Sequence, residues 1–273
     1  MNRPEFLPAR LPSNETVRLA AVKRTGLMGS EALSRFDIYT KLFRHIAGVP
    51  VSYTGLLDEA RQYFLSENFT GCLLGATEVA RQETICQHAL LDTRPVIVPD
   101  MRIHPTFAGH PLVHDDPPWV FWAGFPLVTQ EGYVLGTICA VDHVPRTLTQ
   151  EQVDLLTGVA ADLTLSIQLQ TDQQERIAAA CGAVLTSLQD AGIEQLSTAR
   201  AFLNLCRSLP VTPEQRAHLV SSGLAVEIDG SLSLTEAGNT LKTGNGLGPA
   251  EYKTRTSPLK DMQLIDAMFD LIS

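Results

Sequence analysis

The chain has 273 residues, 44% of them hydrophobic and 19% charged, which is the make-up of an ordinary globular protein with enough apolar material for a sizeable core. A formal net charge of −9 opposes loose adhesion to nucleic acid or anionic membrane, since both attractions need clustered Lys and Arg. Cys72, Cys86, Cys139, Cys181 and Cys206 are odd in number and widely spread, which excludes a disulfide framework and fits a reducing cytoplasm.

Residues 1–8 lack the apolar run of a secretion signal, and no stretch approaches the ~20 apolar residues that cross a bilayer. A cytoplasmic protein without a membrane partner is expected. Residues 1–13, with Pro4, Pro8 and Pro12, are predicted to be a disordered tail. A helix should start at Ser13 or Asn14, whose side chains can accept from the first free amides, and stop at Gly26. Leu33, Phe36, Phe43 and Ile46 recur at helical spacing and predict a second helix from Ser30 to Ala47, ended by Gly48-Val49-Pro50.

The period then changes to two. Residues 51–58 and 62–66 are predicted strands joined at Asp58-Glu59-Ala60-Arg61. A helix over Glu83–Leu91, a short strand at 95–98 and a loop from Pro99 to Pro118 follow. Trp119–Val128 and Tyr133–Asp142 complete the sheet, with Glu131-Gly132 at their hairpin turn.

A long helix starts at Thr149, with Gln152 as capping-box partner. Val153, Leu156, Ala160, Leu163 and Ile167 form one apolar stripe, and Leu155, Val159, Leu165 and Leu169 form another. A helix with two apolar sides must bury both. One side on the sheet and one on a second copy of the chain is the favoured arrangement, and the first stripe supplies the dimer candidates. The repeat fades at Gln170, so the paired helix is short.

Beyond residue 172 the pattern predicts helices at 175–189, 197–209 and 212–222, a hairpin with an Asp229-Gly230 turn, and a further helix. The run from His218 to Gly238 resembles the end of a winged-helix domain. Residues 173–273 carry 8 Lys and Arg against 11 Asp and Glu, a balance of −3. The candidate recognition helix offers only Arg216 and His218 to phosphates. DNA is therefore disfavoured, and protein contact is the preferred use. Leu259, Met262, Ile265, Phe269 and Ile272 form the stripe of a C-terminal amphipathic helix within 246–273, started by Ser257-Pro258.

Residues 14–172 resemble a GAF domain, the small-molecule sensor fold. The resemblance rests on Arg18 through Leu27, Arg35-Phe36-Asp37, Thr84 through Ala89, Val98 through Arg102 with Pro105-Thr106-Phe107, Ala123 through Leu127, and Leu135 through Cys139, in that order and spacing. It implies an α+β fold: a central antiparallel sheet of five or six strands flanked by helices, followed here by the long helix and a smaller, mostly helical winged-helix-like domain at 173–245. It also implies a pocket between the sheet and the loop before the last two strands. Its wall candidates are Tyr53, Phe64, Cys86, His88, Asp100, Arg102, Phe107, Trp119, Phe121 and Phe125. An aromatic cavity with a few polar groups suits a flat small ligand, and a packed domain serving only dimerisation is the alternative.

Gln87 separates Cys86 from His88, which departs from the Cys-His pair that attaches tetrapyrroles, so no covalent bilin and no other cofactor is expected. The cyclic-nucleotide signature of the family is absent. Cys72, Cys86 and Cys139 leave open a pocket-thiol enzyme of the free methionine sulfoxide reductase type. His104, His110, His114, Asp115 and Asp116 lie among prolines that remove helical ligand spacing, so no metal is expected. Hydrolase elbows and phosphate loops are also missing. The expectation is a non-enzymatic homodimeric signalling protein that senses a small molecule or another signalling protein. A DNA-binding regulator and the thiol enzyme are the alternatives.

Overall fold

The structure, a computed structural model, describes residues 5–30, 34–69, 73–190, 196–228 and 230–247. It divides into two compact units, Met1–Glu175 and Arg176–Ser273. The C-terminal amphipathic helix, Cys72 and the turn residue Asp229 lie outside the described residues. No helix among those described is long and apolar enough to cross a membrane.

The first unit opens with helices α1 (Glu15–Arg24) and α2 (Asp37–Ala47). Strands β1 (Val51–Leu57), β2 (Arg61–Glu67), β3 (Glu78–Ala80), β4 (Val96–Val98), β5 (Phe121–Val128) and β6 (Val134–Asp142) follow, then helix α3 (Gln150–Asp190). The strands form one antiparallel sheet in the order β3-β2-β1-β6-β5-β4, which is the α+β fold expected. Its turns are chemically specified. The Asp58 carboxylate accepts from the amides of Ala60 and Arg61, both at 2.8 Å, and Gly132 supplies φ +84° at the β5–β6 hairpin. β1 and β6 come together where Gly55 pairs with Thr137 and Leu56 with Gly136.

The two faces of the sheet carry separate cores. Against the helices lie Phe36, Phe43, Leu56, Phe121, Phe125, Leu127, Ile138, Leu156, Leu163 and Ile167. On the opposite face lie Tyr53, Phe64, Phe69, Cys86, Met101, Phe107, Trp119, Trp122 and Cys139.

Several local expectations change. α1 begins after Asn14, but neither Asn14 nor Ser13 makes the expected side-chain cap. The helix expected at Glu83–Leu91 is two 3-10 turns, Arg81–Glu83 and Ile85–Leu91, separated by extended Thr84, whose hydroxyl accepts from the Cys86 amide. α3 starts with the expected Thr149–Gln152 capping box but does not end near Gln170. Residues 168–181 contain no Gly or Pro to break it, and Arg24 fastens it through Asp172 and Glu175, each at 2.7 Å.

The second unit contains α4 (Leu196–Cys206), α5 (Pro213–Ser221), β7 (Ala225–Ile228), β8 (Ser231–Leu234) and α6 (Glu236–Gly244). Thr212 and Gln215 close a capping box on α5, with Pro213 in its first turn. Leu188, Phe202, Leu219 and Leu224 form its core. Gly238 lets α6 approach β7: a Cβ there would meet the Leu224 carbonyl oxygen at 2.2 Å. Arg216 donates to Glu227 at 3.0 Å and to the Gly230 carbonyl at 3.1 Å.

Candidate functional site

On the sheet face away from α3 lies a cavity of about 590 Å³, bounded by Tyr53, Gln62, Phe64 and Val79 from the strands, Gln82 through Ile85 from the 3-10 turns, and Gly109 through Leu112 and Trp119 from the long loop. Leu73 and, from the N-terminal segment, Glu5, Phe6 and Pro8 supply its remaining wall. The expectation of a disordered tail is thereby corrected over residues 5–13. The Phe6 ring stands edge-on to His110 at 4.5 Å and to His88 at 5.7 Å, and the Ala9 amide donates to Gln87 Oε1 at 3.0 Å. Proline limits the freedom this segment loses when it docks.

One wall residue has an unmet need. Gln62 is fully buried; its Oε1 accepts the Thr84 hydroxyl, while its Nε2 has no partner. A buried donor without an acceptor costs about 1–3 kcal/mol, so a cavity beside one favours a ligand or water that accepts from it. His110 presents a settled tautomer. Its Nδ1 accepts from the Leu112 amide at 3.2 Å, which leaves Nε2–H to donate to the Glu83 carbonyl at 2.8 Å. Burial lowers the His110 pKa, and burial also lowers that of His88.

Behind the cavity floor runs a chain of hydrogen bonds. Trp122 Nε1, which can only donate, gives to the Tyr53 hydroxyl at 3.1 Å. The Tyr53 hydroxyl lies 3.2 Å from Cys86 Sγ, and Cys86 Sγ lies 3.6 Å from Cys139 Sγ, which in turn donates to Thr137 Oγ1 at 3.2 Å. Both thiols are fully buried. Burial opposes ionisation of Cys86, but hydrogen bonds from Cys139, Thr137, Tyr53 and Thr84 outweigh it and hold the group below the ordinary thiol value. Burial and the facing Cys86 push Cys139 well up. Tyr53 is raised well above an ordinary phenol, first by burial and then by the two thiols.

The sequence candidates divide sharply. Tyr53, Phe64 and Trp119 border the cavity, and Tyr53 also packs on Phe64 at 5.6 Å and on Trp119 at 5.8 Å. Cys86 lies behind the floor. His88 and Phe107 meet edge-on at 5.0 Å beside Phe6. Asp100 and Arg102 are corrected: they pair with each other at 2.7 Å on the surface, and Asp100 caps the turn Met101–Ile103. Phe121 and Phe125 are corrected as well. Alternation puts both, with Ala123 and Leu127, on the helix face, and Trp122 on the cavity face. The dimer candidates Leu156, Ala160, Leu163 and Ile167 are buried, with Val153 packed against them, because the sheet has taken that stripe. Exposed instead are Leu155, Leu165 and Leu169. Among the described residues no group of three or more His, Cys, Asp and Glu is placed to hold a metal ion.

Phe6, Gln62 and Trp122 were missed. Strand parity counted from Asp142 would have found Trp122, whereas nothing local marks Phe6 or Gln62.

Comparison with known proteins matches residues 32–167 to the model of the GAF domain. A cyclic di-GMP phosphodiesterase of Pseudomonas aeruginosa is 30% identical over 146 residues, which are 53% of this chain and 24% of that protein. The chain therefore spans about a quarter of this curated relative's length. The GAF-B domain of DevS from Mycobacterium smegmatis is 17% identical, with 53% of this chain and 99% of that one covered and a TM-score of 0.42. The type II free methionine-R-sulfoxide reductase from Thermoplasma acidophilum is 15% identical, with 49% and 89% covered and a TM-score of 0.40. Since the Pseudomonas relative is an enzyme, the expectation of a non-enzymatic chain is corrected.

Proposed function

Because residues 32–167 form a GAF domain, a sensory module of signalling proteins, we propose that this chain supplies the regulatory input to cyclic di-GMP hydrolysis. Its cavity takes a small, flat, largely apolar molecule that accepts one hydrogen bond. The observation that carries the ligand reading is the unpartnered Nε2 of buried Gln62 in the wall of a roughly 590 Å³ cavity. That volume lies within the range of small-molecule sites, and the aromatic walls offer faces for a planar ring. The 30% identity to a cyclic di-GMP phosphodiesterase supports the output class.

We further propose that the chain acts in the cytoplasm as a homodimer, with the α3 face of Leu155, Leu165 and Leu169 as the contact. The second unit serves as a winged-helix-like output that docks protein. Support for protein over DNA comes from its acidic balance and from Arg216, whose guanidinium is engaged by Glu227 and Gly230.

A native mass spectrum of the freshly purified full chain tests the ligand: a retained small molecule is expected on the wild type and absent from Gln62→Leu. An unliganded wild type under every growth condition overturns it. Overproducing both forms in cells and quantifying cyclic di-GMP tests the output. The wild type should shift the pool and the variant should shift it less, whereas an unmoved pool refutes the assignment.

A further inference from the structure

We propose that Cys86 and Cys139 form a peroxide-reactive dithiol site, in which a small hydroperoxide entering from the cavity oxidises the pair to a disulfide. The inference stands apart from the ligand reading, because it concerns two sulfurs that do not themselves line the cavity.

Three observations carry it. The sulfurs are 3.6 Å apart across two different elements, the 3-10 turn Ile85–Leu91 and β6. A bond of about 2.05 Å therefore requires an approach of only about 1.5 Å. The second observation is directional. Trp122 donates into the Tyr53 oxygen, so the phenol proton is free to point to Cys86 Sγ, making that sulfur the acceptor of the network and the better nucleophile. The third is access: Tyr53, Thr84 and Ile85 all border the cavity, and they hold Cys86 by hydrogen bond, by a capped amide and by chain connection. Both sulfurs are fully buried and neither lines the cavity, so a peroxide must reach Cys86 past these three residues.

The chemistry balances. Cys86 gives up its thiol proton and its sulfur attacks one peroxide oxygen; the O–O bond breaks, Cys86 becomes the sulfenic acid, and the departing alkoxide or hydroxide takes up that proton to leave as alcohol or water. Cys139 then attacks the Cys86 sulfur, the S–OH bond breaks, the Cys139 proton joins the leaving hydroxide, and water departs. Overall, one hydroperoxide is reduced by two electrons and two thiols are oxidised to one disulfide.

The test uses the full chain, exposed to hydrogen peroxide that oxidises a free model thiol completely, then alkylated, digested without reductant and mapped by mass spectrometry. The expected product is a Cys86–Cys139 linked peptide that disappears on reduction. Recovery of both residues as alkylated free thiols overturns the proposal, as does Cys86 joined to any other cysteine. In Cys139→Ala the sulfenic acid on Cys86 has no resolving partner, so dimedone labelling should rise roughly tenfold over the wild type. Equal labelling removes Cys139 from the mechanism. Should that variant fail to fold, the wild-type map alone decides.

Discussion

The ring of Phe6 meets the imidazole of His110 edge-on, with centroids 4.5 Å apart and planes at 81°. The contact spans more than a hundred positions of sequence and lays the N-terminal segment along the cavity wall. Pairs of this geometry add about 0.5–1.5 kcal/mol beyond the area they bury. Phe6→Ala should therefore cost about 1 kcal/mol in denaturant unfolding. It should also abolish hydrogen-exchange protection at the Ala9 amide, which bonds to Gln87 Oε1. Unchanged protection at Ala9 would show that the segment is held by other means.

Acid should loosen the same wall. Burial lowers the pKa of His110 and of His88 from an ordinary value of 6.5, so the unfolded chain binds protons that the folded chain does not. Stability from this source is fully present above about pH 6.5 and is lost as pH falls from there toward the folded values. The wild type should lose thermal stability between about pH 7 and pH 5.5, and His110→Gln should flatten that slope. Parallel curves for the two proteins would contradict this assignment.

Much of this fold could be read before any coordinates. The strands announce themselves by alternation and by turn chemistry at Asp58 and Gly132. α3 does so by the Thr149–Gln152 box. What failed did so for physical reasons. β3 has three residues, too short for any period to show. The seven residues Ile85–Leu91, apolar apart from Gln87 and His88, do not distinguish a 3-10 turn from an α-helix. Phe121 and Phe125 lie on the face opposite Trp119, although the three alternate in sequence, because Trp119 precedes the first residue of β5; ladder register begins at Phe121 with Asp142. In the site, the aromatic walls were legible as a class. The docking of Phe6 and the unmet Gln62 amide were not, since each depends on what the fold places opposite it.

Gly136 tests the contact that closes the sheet. A Cβ at this position would sit 2.0 Å from the Gly55 carbonyl oxygen and 2.7 Å from Leu56 Cα, both backbone atoms of β1. No side-chain rotation relieves such an overlap, so β1 and β6 must separate at Leu56–Gly136. Gly136→Ala should destabilise the first unit by about 1–3 kcal/mol or more. Gly158→Ala meets nothing within 4 Å and should be neutral or slightly stabilising, because alanine favours a helix. Equal denaturation midpoints for the two variants would contradict the close approach.

Arg18 is fully buried and joins three elements. It donates to the Leu57 carbonyl at 2.7 Å, to the Val134 carbonyl at 3.3 Å and to both oxygens of Glu15. Glu15 also receives Arg81. Burial alone would raise the Glu15 carboxyl, but the two guanidiniums outweigh it and bring the group from 4.5 to about 2. A depressed carboxylate contributes stability that is complete above its unfolded value and disappears as pH falls through its folded one. The contribution of this cluster should therefore decline between about pH 4.5 and pH 2. Glu15→Gln keeps the shape and removes the charge, so its stability should fall less steeply with acid than that of the wild type, and the two curves should converge near pH 2. Arg18→Leu should be the more damaging change, costing about 3 kcal/mol or more at neutral pH, because it strips two buried carbonyls of their donor and leaves Glu15 with Arg81 alone. Urea unfolding of the three proteins across this pH range measures both effects. Wild-type and Glu15→Gln curves that stay parallel down to pH 2 would mean that the cluster carries no linked proton.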